Sequence, residues 1–222
     1  FLPVRENQVH IALRELKNNG CPTIVTMVNT LEPYSNWEEI CGKGRIVPAF
    51  PGAGGSFDEN VLHAALTPRL IQKTTFAEIS GEKTERLLKL ASLFKQAHIP
   101  YQIVQDMHAW QLCHLAMVVP IADAYYMADN PEKAGYDGKV MLYTAKQMRC
   151  NFSALHKLEI RLTPPKMNFF RLTPVSILSM GLSFVFRSKF GNMFMYRHSM
   201  KAPDEMRQLH DQFYGYIQRN LA

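Results

Sequence analysis

Apolar and polar positions along this chain fall into two textures. Up to about residue 106, short apolar runs alternate with amphipathic stretches; beyond it the apolar spacing is helical throughout. In the first part, Val9–Asn19 (VHIALRELKNN) sets Ile11, Leu13 and Leu16 among polar residues, with Gly20 placed to cap a helix. Thr23–Asn29 (TIVTMVN) and Arg45–Pro51 (RIVPAFP) read as buried strands, with a short helix over Trp37–Cys41 ending at Gly42 between them. Val61–Thr67 and Leu70–Ile79, separated by Pro68 and Arg69, read as an antiparallel pair. Glu82–Ala97 is an amphipathic helix whose apolar face is expected to hold Leu87, Leu88, Ala91, Leu93 and Phe94. Pro100 stops it, and Tyr101–Gln105 is a last short strand.

After Asp106 the segments Met107–Met127, Lys139–Leu158, Pro174–Phe186 and Pro203–Leu221 read as helices, and Arg161–Leu172 is a proline-broken connection. Strands followed by a block of helices predict two domains, residues 1–106 of α/β type and residues 107–222 all-α. The first strand is preceded only by FLPVRENQ and a helical pattern. The strand, glycine-rich turn and helix with which α/β sheets hold a pyrophosphate is not among these residues. The chain therefore reads as the later part of a dinucleotide-dependent protein.

Composition narrows this picture. The 47% hydrophobic and 20% charged content is ordinary for a globular chain, and 222 residues suffice for a real core. The net charge of +6 is unevenly placed: residues 1–106 hold 11 basic and 11 acidic side chains, residues 107–222 hold 14 and 8. Residues 149–201 alone carry nine Lys/Arg and one acid, Glu159. No nucleic-acid motif accompanies this charge, so a solvated surface or a lining for a small anion is expected ahead of nucleic acid. Cys21, Cys41, Cys113 and Cys150 are widely spaced and lack ligand-like clustering; free thiols, no metal site and a cytoplasmic setting are expected. The apolar run Pro174–Phe186 has 13 residues against the roughly 20 of a spanning helix. A buried helix is the first reading; a membrane-surface segment flanked by Arg171, Arg187 and Lys189 is the second.

Few residues stand out chemically. Pro51–Gly55 (PGAGG) lacks the G-x-G-x-x-G spacing, yet ends an expected strand, where backbone amides meet ligands in open α/β sheets; a tight loop is as good a reading. Asn29 ends another strand, where its amide either meets a ligand or caps a turn. Trp110 and His114 share one helix face, which makes His114 either a proton donor or a packing residue. Asp204 and Glu205 open the last helix, where the helix dipole favours acids.

Taken in order, VRENQV (4–9), TIVTMVNT (23–30), AFPGAGG (49–55), GEKTERLLKLASLFKQAHIP (81–100), MHAWQLCHLAMVVPIADAYY (107–126), LTPPK (162–166) and HSMKAPDEM (198–206) resemble the ketopantoate reductase (2-dehydropantoate 2-reductase) family, in a divergent branch. The resemblance implies a partial NADP-binding Rossmann domain over 1–106 and the family's helical C-terminal domain over 107–222. The implied activity is NADPH-dependent reduction of a 2-oxo acid, ketopantoate-like, to a 2-hydroxy acid. It places Arg5 and Gln8 at the family's Lys-x-x-Gln beside the cofactor and Asn29 at the asparagine between nicotinamide and substrate. Ala53 falls on a small residue against the cofactor, and Glu205, with Asp204 beside it, on the acid that reaches it from the helical domain. After Trp110 the family has Trp-x-Lys-Leu with a catalytic lysine; the same register gives Leu112 and Ala116, and a shift of two puts His114 on the lysine. Either His114 replaces that acid or the reaction is lost, and these 222 residues alone are expected to be inactive. The asparagine ladder that holds the family's substrate is absent from Ala116–Asp123. A small 2-oxo acid is the expected partner, with a homodimer left open. The alternative is a non-catalytic binding or scaffold protein on the same fold.

Overall fold

The protein, described from a computed structural model over residues 1–221 with only the backbone of 56–58, is mixed α/β. It divides into two compact units, Phe1–His108 and Ala109–Ala222.

The first unit is built on a four-stranded mixed sheet of order β1-β2-β5-β6: β1 (Ile24–Met27), β2 (Ile46–Phe50), β5 (Thr74–Phe76) and β6 (Tyr101–Ile103). β1 and β2 run parallel, with Ile24 opposite Ile46 and Met27 opposite Ala49. β5 is antiparallel to β2 and parallel to β6. Leu2 extends the sheet beyond β1 through a parallel bridge to Thr26, donating to Val25 O at 2.8 Å and accepting from Met27 N at 3.0 Å. The expected pairing of Val61–Thr67 with Leu70–Ile79 does not form. β4 (Val61–Leu66) instead pairs antiparallel with β3 (Ala53–Asp58), Ala53 opposite Leu66 and Asp58 opposite Val61, as a separate ribbon. The glycines of PGAGG hid this strand, because glycine carries little strand propensity. Two of them are required by close approach: a Cβ on Gly52 would stand 2.4 Å from Thr74 N, and one on Gly55 2.6 Å from His63 O.

Helix α3 (Glu85–Gln96) packs on the sheet, and Thr84 Oγ1 caps it by accepting from Leu87 N at 3.3 Å. Its buried face is Leu87, Leu90, Ala91 and Phe94, packed with Val25, Val47, Ala49 and Phe76. Leu88 and Leu93, expected inside, are 54% and 56% exposed. Positions 87, 90, 91 and 94 follow the i, i+3, i+4, i+7 stripe, and a helix lying flat on a sheet buries only that stripe. Helix α1 (Val9–Glu15) buries Val9 and Leu13, leaves Ile11 in solvent, and stops five residues before Gly20. Its end is covered by Arg45, whose guanidinium donates to Leu16 O and Lys17 O at 3.2 Å and to Asn19 O at 2.7 Å. Helix α2 (Tyr34–Cys41) buries Tyr34, Trp37 and Cys41 and ends at Gly42, whose φ of +103° suits glycine.

The second unit holds only helices among the described residues. They are α4 (Met107–Met127, whose first two residues fall in the first unit), α5 (Gly138–Lys157), α6 (Asn168–Leu172), α7 (Val175–Phe186), α8 (Arg197–Lys201) and α9 (Pro203–Leu221). Short 3-10 turns and a π-helical turn at Gly191–Tyr196 link them. The short α6 and α8 interrupt stretches that carry no helical signal of their own. Asp137 caps α5, accepting from Lys139 N at 2.9 Å and Val140 N at 3.1 Å. The core joins Tyr125, Met141, Met148, Leu178, Leu182 and Phe186. Gly135 lets α7 seat closely, since a Cβ there would lie 2.7 Å from Phe186 Cβ.

A buried ion pair locks α3 to the sheet. Glu78, just after β5, is almost fully buried and accepts from Arg86 Nε at 2.7 Å, from Arg86 Nη2 and from the Thr84 hydroxyl. Burial alone pushes the Glu78 carboxyl up, but the Arg86 and Thr84 hydrogen bonds and the Arg86 charge bring it below its ordinary value. Arg86→Leu leaves that carboxylate buried and uncompensated, at a cost of about 3 kcal/mol. Denaturant unfolding followed through Trp37 fluorescence in a Trp110→Phe background should show this loss at neutral pH. The loss should ease in acid as Glu78 takes up a proton, and the Glu78→Leu/Arg86→Leu pair should recover most of it.

Candidate functional site

In the first unit the residues singled out from sequence gather at one edge of the sheet. Leu2 lies opposite Thr26 in parallel register, so the segment that carries Arg5 and Gln8 leaves the sheet at the carboxyl end of β1. Asn29 follows β1 at that same end, and Ala53, directly after Gly52, opens β3 three residues beyond the end of β2. This is the edge at which open α/β sheets bind ligands, because loops and helix starts converge there. Arg5, Gln8 and Ala53 are exposed. Asn29 is buried at 9% exposure, and among the described residues its Oδ1 has no hydrogen-bond partner; nor has Thr26 Oγ1, buried in β1 three residues earlier. A turn-capping role for Asn29 would have engaged that oxygen. A buried acceptor left unsatisfied costs about 1–3 kcal/mol, which a ligand donor would recover. Pro51-Gly52 is a bend after β2 and Ala53–Gly55 are strand, so the tight-loop reading covers only the first two residues of PGAGG.

A polar cluster absent from the sequence reading stands directly after Asn29. Glu32 accepts from His10 Nε2 at 2.8 Å on both carboxylate oxygens, from Asn36 Nδ2 at 2.9 Å and from Trp37 Nε1 at 2.8 Å. Glu32 N donates to Thr30 Oγ1 at 2.9 Å, and Thr30 is fully buried. Burial raises the Glu32 carboxyl, and the Asn36, Trp37 and His10 hydrogen bonds more than reverse it, so it stays below its ordinary value. One carboxylate thereby ties α1, the loop after β1 and α2 together. Tyr34 packs beneath it, tilted against Trp37 with ring centroids 5.6 Å apart and edge-on to His108 at 6.4 Å. The signal for this cluster was weak: His10 and Glu32 lie 22 residues apart, and only the parallel sheet register brings them together.

No protein-family model and no curated protein matches this chain. The candidate site rests on its own geometry.

In the second unit His114 is buried in α4, its ring stacked on Trp110 with centroids 5.2 Å apart and planes 9° from parallel. Burial, reinforced by the charge of His198, pulls its pKa down to about 3, so the imidazole is neutral at physiological pH. A titrating acid with a pKa near neutrality is therefore not what this environment provides. Leu112 and Ala116, in the register of the family lysine and its asparagine, are fully buried packing residues. Glu205 is half-buried in the first turn of α9, and Asp204 beside it is exposed, with Arg207 Nη1 at 3.5 Å. A further pair, His210 Nδ1 and Asp123, lies at 3.0–3.1 Å, and Asn151 Nδ2 reaches Tyr214 Oη at 3.4 Å. Among the described residues no three His, Cys, Asp or Glu side chains converge as a metal site.

Two outcomes follow from these environments. Glu32→Gln replaces a charged acceptor by a weaker one and should cost about 1–3 kcal/mol at pH 7. Glu32 titrates lower in the folded chain than its ordinary 4.5, so its contribution is complete above 4.5 and is lost as pH falls through the depressed value. The gap between parent and variant in urea unfolding should close over that acid range. His114 has the same sign of linkage at higher pH: the unfolded chain binds its proton first, so folding weakens as pH falls from 6.5 towards about 3. His114→Gln should flatten that part of the acid unfolding curve read through Trp110 fluorescence.

Proposed function

We propose that this chain supplies the substrate side of an NADP-dependent reductase that converts a 2-oxo acid to a 2-hydroxy acid. The observation that carries the reading is Asn29: buried at the carboxyl end of β1, with an acceptor oxygen that no donor among the described residues meets. The residue that the resemblance assigns to the nicotinamide thus has unused hydrogen-bonding capacity at this edge. A carboxamide N–H fits Asn29 Oδ1, and Arg5 offers a cation at the same edge. The fit ends there, because the described residues include no glycine-rich turn for the pyrophosphate. NADPH, when bound, supplies the hydride. Asn29 orients the ligand amide, and the Glu32 tie holds the loop that carries Asn29. His114, being neutral, serves as a hydrogen-bond donor to the substrate oxygen, as a buried neutral imidazole polarises a carbonyl in other enzymes, and water supplies the proton that the reduced oxygen takes up.

A second reading, a non-catalytic binding protein on the same fold, is favoured by one observation: the positions in the family lysine register are core leucine and alanine. The two separate in one assay. The full-length protein should oxidise NADPH in the presence of small 2-oxo acids, and Asn29→Ala should weaken NADPH binding about tenfold, the loss of one buried hydrogen bond. His114→Gln should lower kcat about a hundredfold without moving the NADPH Kd. The kcat profile of the parent should carry no inflection from His114 between about pH 5 and 8. NADPH binding without turnover on any 2-oxo acid selects the binding protein; absence of NADPH binding defeats both.

A further inference from the structure

Helix α7 is apolar on more faces than the core can take. Leu178, Leu182 and Phe186, four residues apart, form the buried stripe. The opposite side carries Ile177, Met180 and Phe184, spaced three and four apart and 52%, 59% and 64% exposed. The expected buried helix accounts for the first stripe and leaves the second unexplained. Before α7 the chain bends by 116° at Thr173-Pro174, and α6 adds exposed Phe169 and Leu172. The two helices together are apolar enough for a membrane, though no single helix among the described residues is long and apolar enough to cross one. At twelve residues α7 is roughly 18 Å long against a hydrocarbon core of about 30 Å.

The rim of this surface is basic. Arg187 closes α7 with its guanidinium 4.9 Å from the Phe184 ring and 5.2 Å from that of Tyr136. Lys189 and Lys166 are exposed at its two ends, within a stretch of nine basic residues and one acid. An apolar helix face bordered by Arg and Lys, and rich in Phe, is the make-up of a segment that lies in the bilayer interface. A second copy docked on this face would add its own Lys166, Arg187 and Lys189 to the same basic rim, an accumulation of like charge that opposes self-association. An anionic lipid surface complements the same charges.

We propose that α6 and α7 dock this protein in-plane on an acidic membrane leaflet, with Ile177, Met180 and Phe184 in the acyl boundary and Lys166, Arg187 and Lys189 at the headgroups. The inference is independent of the reductase reading. Flotation of the full chain with phosphatidylcholine vesicles enriched in phosphatidylserine should recover the protein with the lipid, and at least about tenfold less should float with phosphatidylcholine alone. Arg187→Glu/Lys189→Glu should reduce flotation about tenfold or more, since each basic residue at the surface is worth roughly fivefold. Met180→Glu/Phe184→Glu should abolish it while leaving the thermal unfolding curve in place, because both side chains face away from the core. Failure to float with the acidic vesicles, equal flotation with both lipids, or binding that survives Met180→Glu/Phe184→Glu overturns the proposal. So does a dimer in sedimentation equilibrium that the same pair of substitutions disperses, which would assign the face to a second copy.

Discussion

The first unit depends on one buried carboxylate. Glu78 sits where β5 hands over to α3, and Arg86 answers it from the first turn of that helix while also donating to Gly44 O and, at 3.3 Å, to Ile46 O. The guanidinium thus spans α3, the segment after β5 and the entrance to β2. With α3 held in this pose, Leu87, Leu90 and Phe94 fall on Val25, Val47 and Phe76, and the sheet has one covered face. A hydrophobic stripe alone leaves a helix free to roll on a sheet; a directional, buried charge pair fixes its rotation.

The candidate site inherits that order. β1 and β2 run parallel because the chain crosses over through α2 between them, and parallel strands bring their carboxyl ends to one edge. Glu32 then does at this edge what Glu78 does at the other side of the sheet, gathering donors from His10, Asn36 and Trp37 into one carboxylate. Asn29 lies three residues before it, in a loop whose ends are both held, and its acceptor is left unengaged. Buried polar groups without partners are uncommon in folded chains, and they concentrate where a ligand completes them.

The helical unit shows a different economy. Its core is assembled from long apolar side chains on α4, α5 and α7, with Gly135 admitting the close approach of α7. His114 belongs to that packing: stacked on Trp110 and neutral, it shares the character of its helix. Helix α7 carries apolar residues well beyond what this core covers, and its uncovered face is bordered by Arg187 and Lys189.

Much of the architecture was legible from periodicity. The bounds of α4 and α9 follow their apolar spacing, and β1, β2 and β6 coincide with short apolar runs between turn residues. Local patterns reach that far because a helix or strand is decided mostly by neighbours within a turn or two. Pairing and rotation are decided elsewhere. That β4 joins β3 and not β5, that Leu90 is inside while Leu88 and Leu93 are outside, and that α1 ends at Glu15 under Arg45 all depend on residues distant in sequence. The same holds for chemistry. Asn29 was visible as a polar residue at a strand end, but its unpartnered oxygen, the Glu32 cluster and the depressed pKa of His114 arise from burial and from contacts across the fold. Sequence determined most of the longer helices and the apolar strands and which residue types stand at their ends. Only tertiary structure decided which of those residues lose water, because desolvation is a property of the packed surroundings and not of the chain.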